Sequence, residues 1–255
     1  MPKMTPNFLT IDKPELLLEH KAQIFSLFQK CFAREIDFKL WEWLYIQNPI
    51  DTPVVSLAFD NHHLIGHYGF IATKLNHYRA FVSITLMVDP SIQNPWIFLG
   101  MIKNALELLD KKADILIAFP NKNSYPLFTK MLKWNLIPTF VAQVDTYMFN
   151  QNISEIQIDT TPSDFLQWRL SRPNGNYYFK DGMILKPYKS KEIDVVYSPS
   201  QALLNPFDGY YNILTQDSAL ISKKIFDYPF VYHTINQNLT SPLSIKPDLL
   251  MSDVF

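Results

Sequence analysis

Residues 81–134 restrict the fold of this chain more than any other stretch. An apolar run rich in β-branched residues, Phe81-Val82-Ser83-Ile84-Thr85-Leu86-Met87-Val88, stops at Asp89-Pro90. A turn from Ser91 to Pro95 and a helical segment from Trp96 to about Lys111 follow. A second apolar run, Asp114 to Phe119, ends in Pro120-Asn121-Lys122-Asn123-Ser124, and a short helix leads to Trp134. Strand, turn, helix, strand, Asn-containing turn and helix make a βαβα unit. Such a unit implies a parallel strand pair with a site at the strand ends.

The flanking sequence supplies the rest of a layered fold. Leu16, Leu17, Ile24, Phe25, Leu27, Phe28 and Phe32 predict an amphipathic helix over 15–33. A second helix is expected over 37–46, capped by Asp37 and ended by Asn48-Pro49. Val54 to Phe59, the Asp60-Asn61 turn and His63 to Thr73 predict a hairpin, and Asn135 to Phe149 a long aromatic strand region.

Composition narrows the functional classes. With 47% hydrophobic and 18% charged residues, the 255-residue chain can bury a sizeable core. A net charge of −1 gives no basic footprint, so nucleic acid is not an expected partner. No apolar run reaches the roughly 18 residues of a membrane span, and the N-terminus lacks a signal-peptide core, so a cytoplasmic location is expected. The single cysteine, Cys31, excludes an internal disulfide and reads as a core thiol. His62-His63 reads as a solvated hairpin tip, and no third ligand accompanies it, so no metal site is expected. Only 6 glycines occur, well under the usual frequency of about 7%, which disfavours a glycine-lined phosphate cradle.

Past residue 150 the order of elements repeats. Ser163 to Leu170 predicts a helix ended by Pro173, Asn176 to Tyr188 a hairpin through Asp181-Gly182, and Ile193 to Tyr197 a strand. A helical stretch is expected over 200–215. Helix, hairpin, strand and helix in one order imply a divergent tandem repeat. The apolar tail, Ser244 to Phe255, is expected to dock on the body.

Short motifs along the chain resemble one family. They are Trp41-Glu42-Trp43-Leu44-Tyr45 with Asn48-Pro49, Leu64-Ile65-Gly66 on the third strand, Met87-Val88-Asp89-Pro90 on the fourth, and Phe119-Pro120-Asn121 after the fifth. The order is similar to that of the GNAT (Gcn5-related) N-acyltransferases. Phe165-Leu166-Gln167-Trp168-Arg169, Ile184-Leu185-Lys186-Pro187-Tyr188 and Ser252-Asp253-Val254-Phe255 resemble the subgroup whose second half is a degenerate copy of the fold. The resemblance implies an α/β fold with a GNAT-like mixed central sheet flanked by helices. It would consist of two tandem halves, an acyltransferase domain over 1–150 and a degenerate second half over 151–255.

It also implies an activity: direct transfer of an acyl group from acetyl-CoA, or another acyl-CoA, to a small-molecule amine such as an amino sugar. Acyl-CoA would lie between the fourth and fifth strands, against Leu86, Met87 and Val88, the loop Gln93, Asn94, Trp96, Ile97 and Phe98, and Asn121. In the family that loop reads Arg/Gln-x-x-Gly-x-Gly/Ala, and its backbone N–H groups hold the pyrophosphate. Gln93 fits, but Trp96 and Phe98 replace the small residues, and Pro95 removes a donor. The loop is therefore either a reshaped CoA site or none. The family's general-acid Tyr falls on Phe128, which cannot donate a proton, so the role would pass to Tyr125 or be absent. His67, Tyr68 and Asp89 are the other catalytic candidates. Each also has a plain structural reading, as does the aromatic set Trp41, Trp43 and Tyr45, read as core or as an acceptor platform. The competing reading of the whole is a GNAT-fold binding module without catalysis.

Overall fold

A strand that the sequence does not advertise begins the fold: β1 (Asn7–Ile11) runs antiparallel to β2 (Val54–Asp60), from Asn7 opposite Phe59 to Ile11 opposite Val55. Between them come α1 (Pro14–Glu19), α2 (Lys21–Phe32) and α3 (Phe38–Tyr45). The one helix expected over 15–33 is two. His20 takes φ −94° and ψ 1°, and its N–H closes the preceding turn on the Leu17 carbonyl at 3.2 Å. The start of α3 is as expected, because Asp37 Oδ1 accepts from the Lys39 and Leu40 amides at 2.9 and 3.4 Å. Strand β3 (His63–Leu75) returns antiparallel to β2, and β4 (Tyr78–Val88) lies beside β3.

The structure is a computed structural model describing residues 5–92, 94–150, 156–199, 201–239 and 242–251. Gln93 and Ser252–Phe255 thus lie outside the described residues. The chain divides into two units, 1–73 with 78–116, and 74–77 with 117–255. The expected division into sequence halves at residue 150 concerns the repeat and stays a proposal.

In the first unit, helices cover the two faces of the sheet. On one face lies α4 (Pro95–Lys112), and on the other α3 sets Tyr45 against His67. Two glycines make these contacts close. A Cβ on Gly66 would stand 2.9 Å from the Met101 sulfur and 3.1 Å from Ile97, both on α4. On Gly69 it would stand 2.7 Å from the Tyr45 hydroxyl. Gly66→Val should therefore lift the first turns of α4 and lower stability by about 1–3 kcal/mol, measured by urea unfolding. An unchanged midpoint would mean that α4 has slack at this crossing.

Strand β5 (Ile115–Ala118) carries the chain into the second unit. The short helix expected before Trp134 is a single π-type turn, Leu127–Met131, and the long strand region is three strands, β6 (Asn135–Ile137), β7 (Phe140–Val144) and β8 (Tyr147–Asn150). After α5 (Ser163–Leu170) come the hairpin β9 (Tyr178–Lys180) and β10 (Met183–Pro187), then β11 (Glu192–Tyr197). The Asp181-Gly182 turn has φ +53° and +78°, the backbone a tight hairpin needs. The helix expected over 200–215 is a correction: β12 (Gln201–Leu204) pairs with β8, and β13 (Tyr210–Thr215) is a central strand. Asn205-Pro206 and Gly209 interrupt any helix there, and Tyr210-Tyr211-Asn212-Ile213-Leu214-Thr215 favours an extended backbone. Strands β14 (Lys224–Asp227) and β15 (Phe230–Thr234) have no counterpart among the expected elements.

A six-stranded mixed sheet, in the order β14-β7-β13-β11-β10-β9, forms most of the second unit. Its one parallel pair is β11 with β13. Phe140, Met183, Leu185, Tyr211 and Ile213 centre the core on this sheet. Near the chain end Ile245 bridges Ile156, and Leu250 and Met251 are buried, so the described part of the tail does dock.

Candidate functional site

Strand β4 changes phase where the site candidates begin. Val82 and Ile84 are buried, but the next buried side chain is Met87 and not Leu86, so alternation slips by one residue. Thr85 causes the slip by adopting φ +48°. A positive φ is an outlier for a β-branched residue, a strain of about 1–3 kcal/mol that surrounding contacts must hold. The holding contact is visible: the Thr85 carbonyl faces His67 Nδ1 at 2.9 Å. A carbonyl only accepts, so Nδ1 carries the proton and Nε2 is left with a bare lone pair.

His67 is fully buried, and its Nε2 has no hydrogen-bond partner among the described residues. Burial pulls its pKa down to about 4, against a smaller upward pull from the Thr85 carbonyl. At neutral pH His67 is thus an uncharged acceptor and a weak base. Tyr45 stands edge-on to it, ring centres 6.0 Å apart, its hydroxyl buried beside the Thr85 side chain. Tyr68, one residue on, faces the opposite side. Its hydroxyl shares a 2.7 Å hydrogen bond with Ser83, and its ring packs on Phe98. Desolvation pushes both tyrosines well above their usual pKa.

Asp89 closes β4, its N–H donating to the Ile65 carbonyl at 2.8 Å. Its Oδ1 accepts from the Ser91 amide and hydroxyl, at 3.0 and 2.7 Å, and Oδ2 pairs with Lys30 at 3.1 Å. The Ser91 hydroxyl is the main reason its pKa lies below the usual range, and Lys30 adds to it. The Val88 carbonyl is taken by the Cys31 thiol at 3.4 Å. Leu86 and Val88 are half-buried beyond the slip, whereas Met87 is in the core.

The N-terminus of α4 is largely closed on itself. Asn94 Oδ1 accepts from the Trp96 amide at 3.0 Å, the Ile97 amide donates to the Asn94 carbonyl at 3.2 Å, and Pro95 has no N–H. A phosphate there would have to displace the Asn94 cap. Trp96 is 71% exposed, whereas the Ile97 and Phe98 side chains are in the core and could reach a ligand only through their backbone. Gln93, the loop residue that fits the family pattern, lies outside the described residues.

Asn121 and Tyr125 belong to the second unit. Asn121 Oδ1 accepts from the Asn123 and Ser124 amides at 2.9 and 3.0 Å, and the Tyr125 amide donates to the Asn121 carbonyl at 2.8 Å. Asn121 is exposed and Tyr125 half-buried. Phe128, expected from the resemblance to stand at the family's Tyr position, is buried against Trp134 with ring centres 4.8 Å apart.

Sequence reasoning missed Thr85 and Tyr45 as parts of the His67 cluster. An unbroken apolar run hides a phase slip, because either parity of such a run satisfies a buried strand. Among the described residues there is no helix long and apolar enough to cross a membrane, and no cluster of three or more metal-ligating side chains.

No family model and no curated protein matches the sequence. Solved structures do match the fold. A probable N-acyltransferase from Enterococcus faecalis V583 aligns with TM-score 0.59 and 9% identity over 91% of this chain and 73% of that one. A GCN5-related N-acetyltransferase from Kribbella flavida gives 0.58 and 8% over 91% and 72%. Another from Anabaena variabilis gives 0.57 and 8% over 90% and 73%. At such identities the likeness shows the fold, and the chain has the mixed α/β fold of the GNAT N-acetyltransferases.

Proposed function

We propose that this chain, with its GNAT fold, is an acyl-CoA-dependent N-acyltransferase acting on a small-molecule amine by direct transfer in a ternary complex. The observation that supports this reading is the fold likeness to N-acetyltransferases over about nine-tenths of the chain. Acyl-CoA is a substrate here. The first unit would meet it with the backbone of Leu86 to Val88, past the Thr85 slip, and with the Asn94–Phe98 turn, its Asn94 cap displaced. Trp96 would then stand beside the phosphates in place of a glycine. The family resemblance would assign Asn121 to the same ligand and Tyr125 to protonation of the thiolate.

Transfer needs an amine with a free lone pair to attack the thioester carbon and expel the thiolate. None of the first-unit candidates is a matched base. Asp89 is ionised and paired, Tyr68 is buried and hydrogen-bonded, and His67 holds a proton only in acid. His67 Nε2 is suited instead to accept a hydrogen bond from an amine or from an intervening water. An amine that enters as the free base needs no enzymic base, so kcat/KM should rise with pH up to the acceptor's own pKa.

The self-capped α4 and the buried Phe128 favour the second reading, a GNAT-fold binding module without catalysis. One titration separates the two. Acetyl-CoA at 100 times its dissociation constant should stabilise the fold by about 2.7 kcal/mol, read as a rise in melting temperature. Trp96→Gly should change the affinity. No shift at millimolar acetyl-CoA, nor with a longer acyl chain, rejects the acyltransferase reading. An affinity unaltered by Trp96→Gly shows that CoA binds elsewhere.

A further inference from the structure

A pocket of about 300 Å³ opens in the first unit between α2 and the meeting point of β3 and β4. That volume is at the small end of ligand pockets and fits a molecule of amino-acid size, not a nucleotide. Its floor is aliphatic: Leu27 from α2, with Leu64 and Ile65 from β3, all buried. Its walls are charged or polar. Lys30, Ser26 and Gln23 recur along one face of α2, His63 begins β3, and Asp89 ends β4.

Asp89 is built as a receptor. The residue is 8% exposed, and two hydrogen bonds from Ser91 hold one carboxylate oxygen in place. The other oxygen, Oδ2, is turned to Lys30 at 3.1 Å. The ammonium side chain of Lys30 is 61% exposed, so this ion pair is half in water and easily exchanged. Lys30 has two further N–H donors to offer, and no hydrogen bond from another described residue occupies the side chains of Ser26 or His63. The pocket therefore presents one anchored anion, one solvent-exposed cation beside it and an aliphatic floor. The complement of that arrangement is a zwitterion with an aliphatic side chain, whose two charges replace the internal pair.

We propose that this pocket binds a free aliphatic α-amino acid. Its ammonium group lies on Asp89 Oδ2, its carboxylate on Lys30 and His63, and its side chain on Leu27, Leu64 and Ile65. The pocket adjoins the end of β4, since Asp89 follows directly on Val88, but binding there is read without any acyl transfer.

Titration of the whole chain with L-leucine, followed by calorimetry and by amide chemical-shift mapping, tests this. Saturable binding is expected, with shifts centred on Gln23, Ser26, Lys30 and His63 to Ile65. 4-Methylpentanoate lacks the ammonium and 3-methylbutylamine lacks the carboxylate, and each should bind at least about tenfold more weakly. Lys30→Met should weaken L-leucine by a similar factor, Lys30→Arg should restore it, and Ser26→Trp should fill the pocket and abolish binding. The proposal is overturned by no binding of L-leucine, L-isoleucine or L-valine at 20 mM (a concentration of about that order is generous for a free amino acid). Equal binding of either half-molecule, affinity retained in Lys30→Met, or shifts mapping elsewhere would also overturn it. None of these readouts involves acetyl-CoA, so a failed acyltransferase assay leaves the result standing.

Discussion

Trp41→Ala should lower the stability of the chain by about 3–5 kcal/mol, the range for deleting a large aromatic from a packed core. Trp41 is fully buried on α3, with Phe25 edge-on at 5.6 Å, Tyr45 at 5.6 Å and Phe38 stacked at 6.4 Å. Removing the indole would leave a void that three rings cannot close without leaving their rotamers. Urea unfolding should show a lower midpoint with a similar slope. The sequence left Trp41, Trp43 and Tyr45 open as core or as an acceptor platform. Their exposures of 0%, 1% and 1% make them core. A variant of near wild-type stability would mean that the ring is peripheral.

The second large effect is on acid stability. Folded His67 has a pKa of about 4, against about 6.5 for an unperturbed histidine. Between those values the unfolded chain binds more protons, so stability is full above about pH 6.5 and falls as the pH drops towards 4. The loss at pH 4 amounts to about 3 kcal/mol. Asp248 works in the opposite sense. Burial raises its carboxyl to about 6, so stability contributed by its protonated form is present at low pH and is lost as pH rises through 6. The two trends mask each other in the wild-type profile. His67→Gln, whose amide can still donate to the Thr85 carbonyl, removes only the first. Relative to wild type it should gain stability steadily from pH 7 to pH 4 in urea unfolding. Parallel profiles would show that His67 is not the acid-labile group.

Much of the fold is legible in local chemistry. The Asp37 cap, the Asp181-Gly182 hairpin and the run from Phe81 to Val88 each specify their element from a few neighbouring residues. The expectation failed where local signals compete, at 200–215. There a helical reading by analogy with the first half lost to the β preference of Tyr210–Thr215, which the flanking strands satisfy by pairing on both sides. Strand β1 escaped notice because Asn7-Phe8-Leu9-Thr10-Ile11 is short, and its pairing partner lies more than forty residues away.

The sequence by itself determined the two strands and the long helix of the central stretch, the scarcity of glycine, and a phenyl ring at Phe128 that cannot donate a proton. These depend on side-chain identity alone. Only the tertiary structure decided that Thr85 turns β4 out of phase, that His67 is buried and neutral, and that Asn94 closes the end of α4. It alone also brought Lys30 and Asp89, fifty-nine residues apart, to one pocket wall. Each of those properties is set by partners distant in the chain, and a pKa, a strained φ and a pocket exist only once those partners meet.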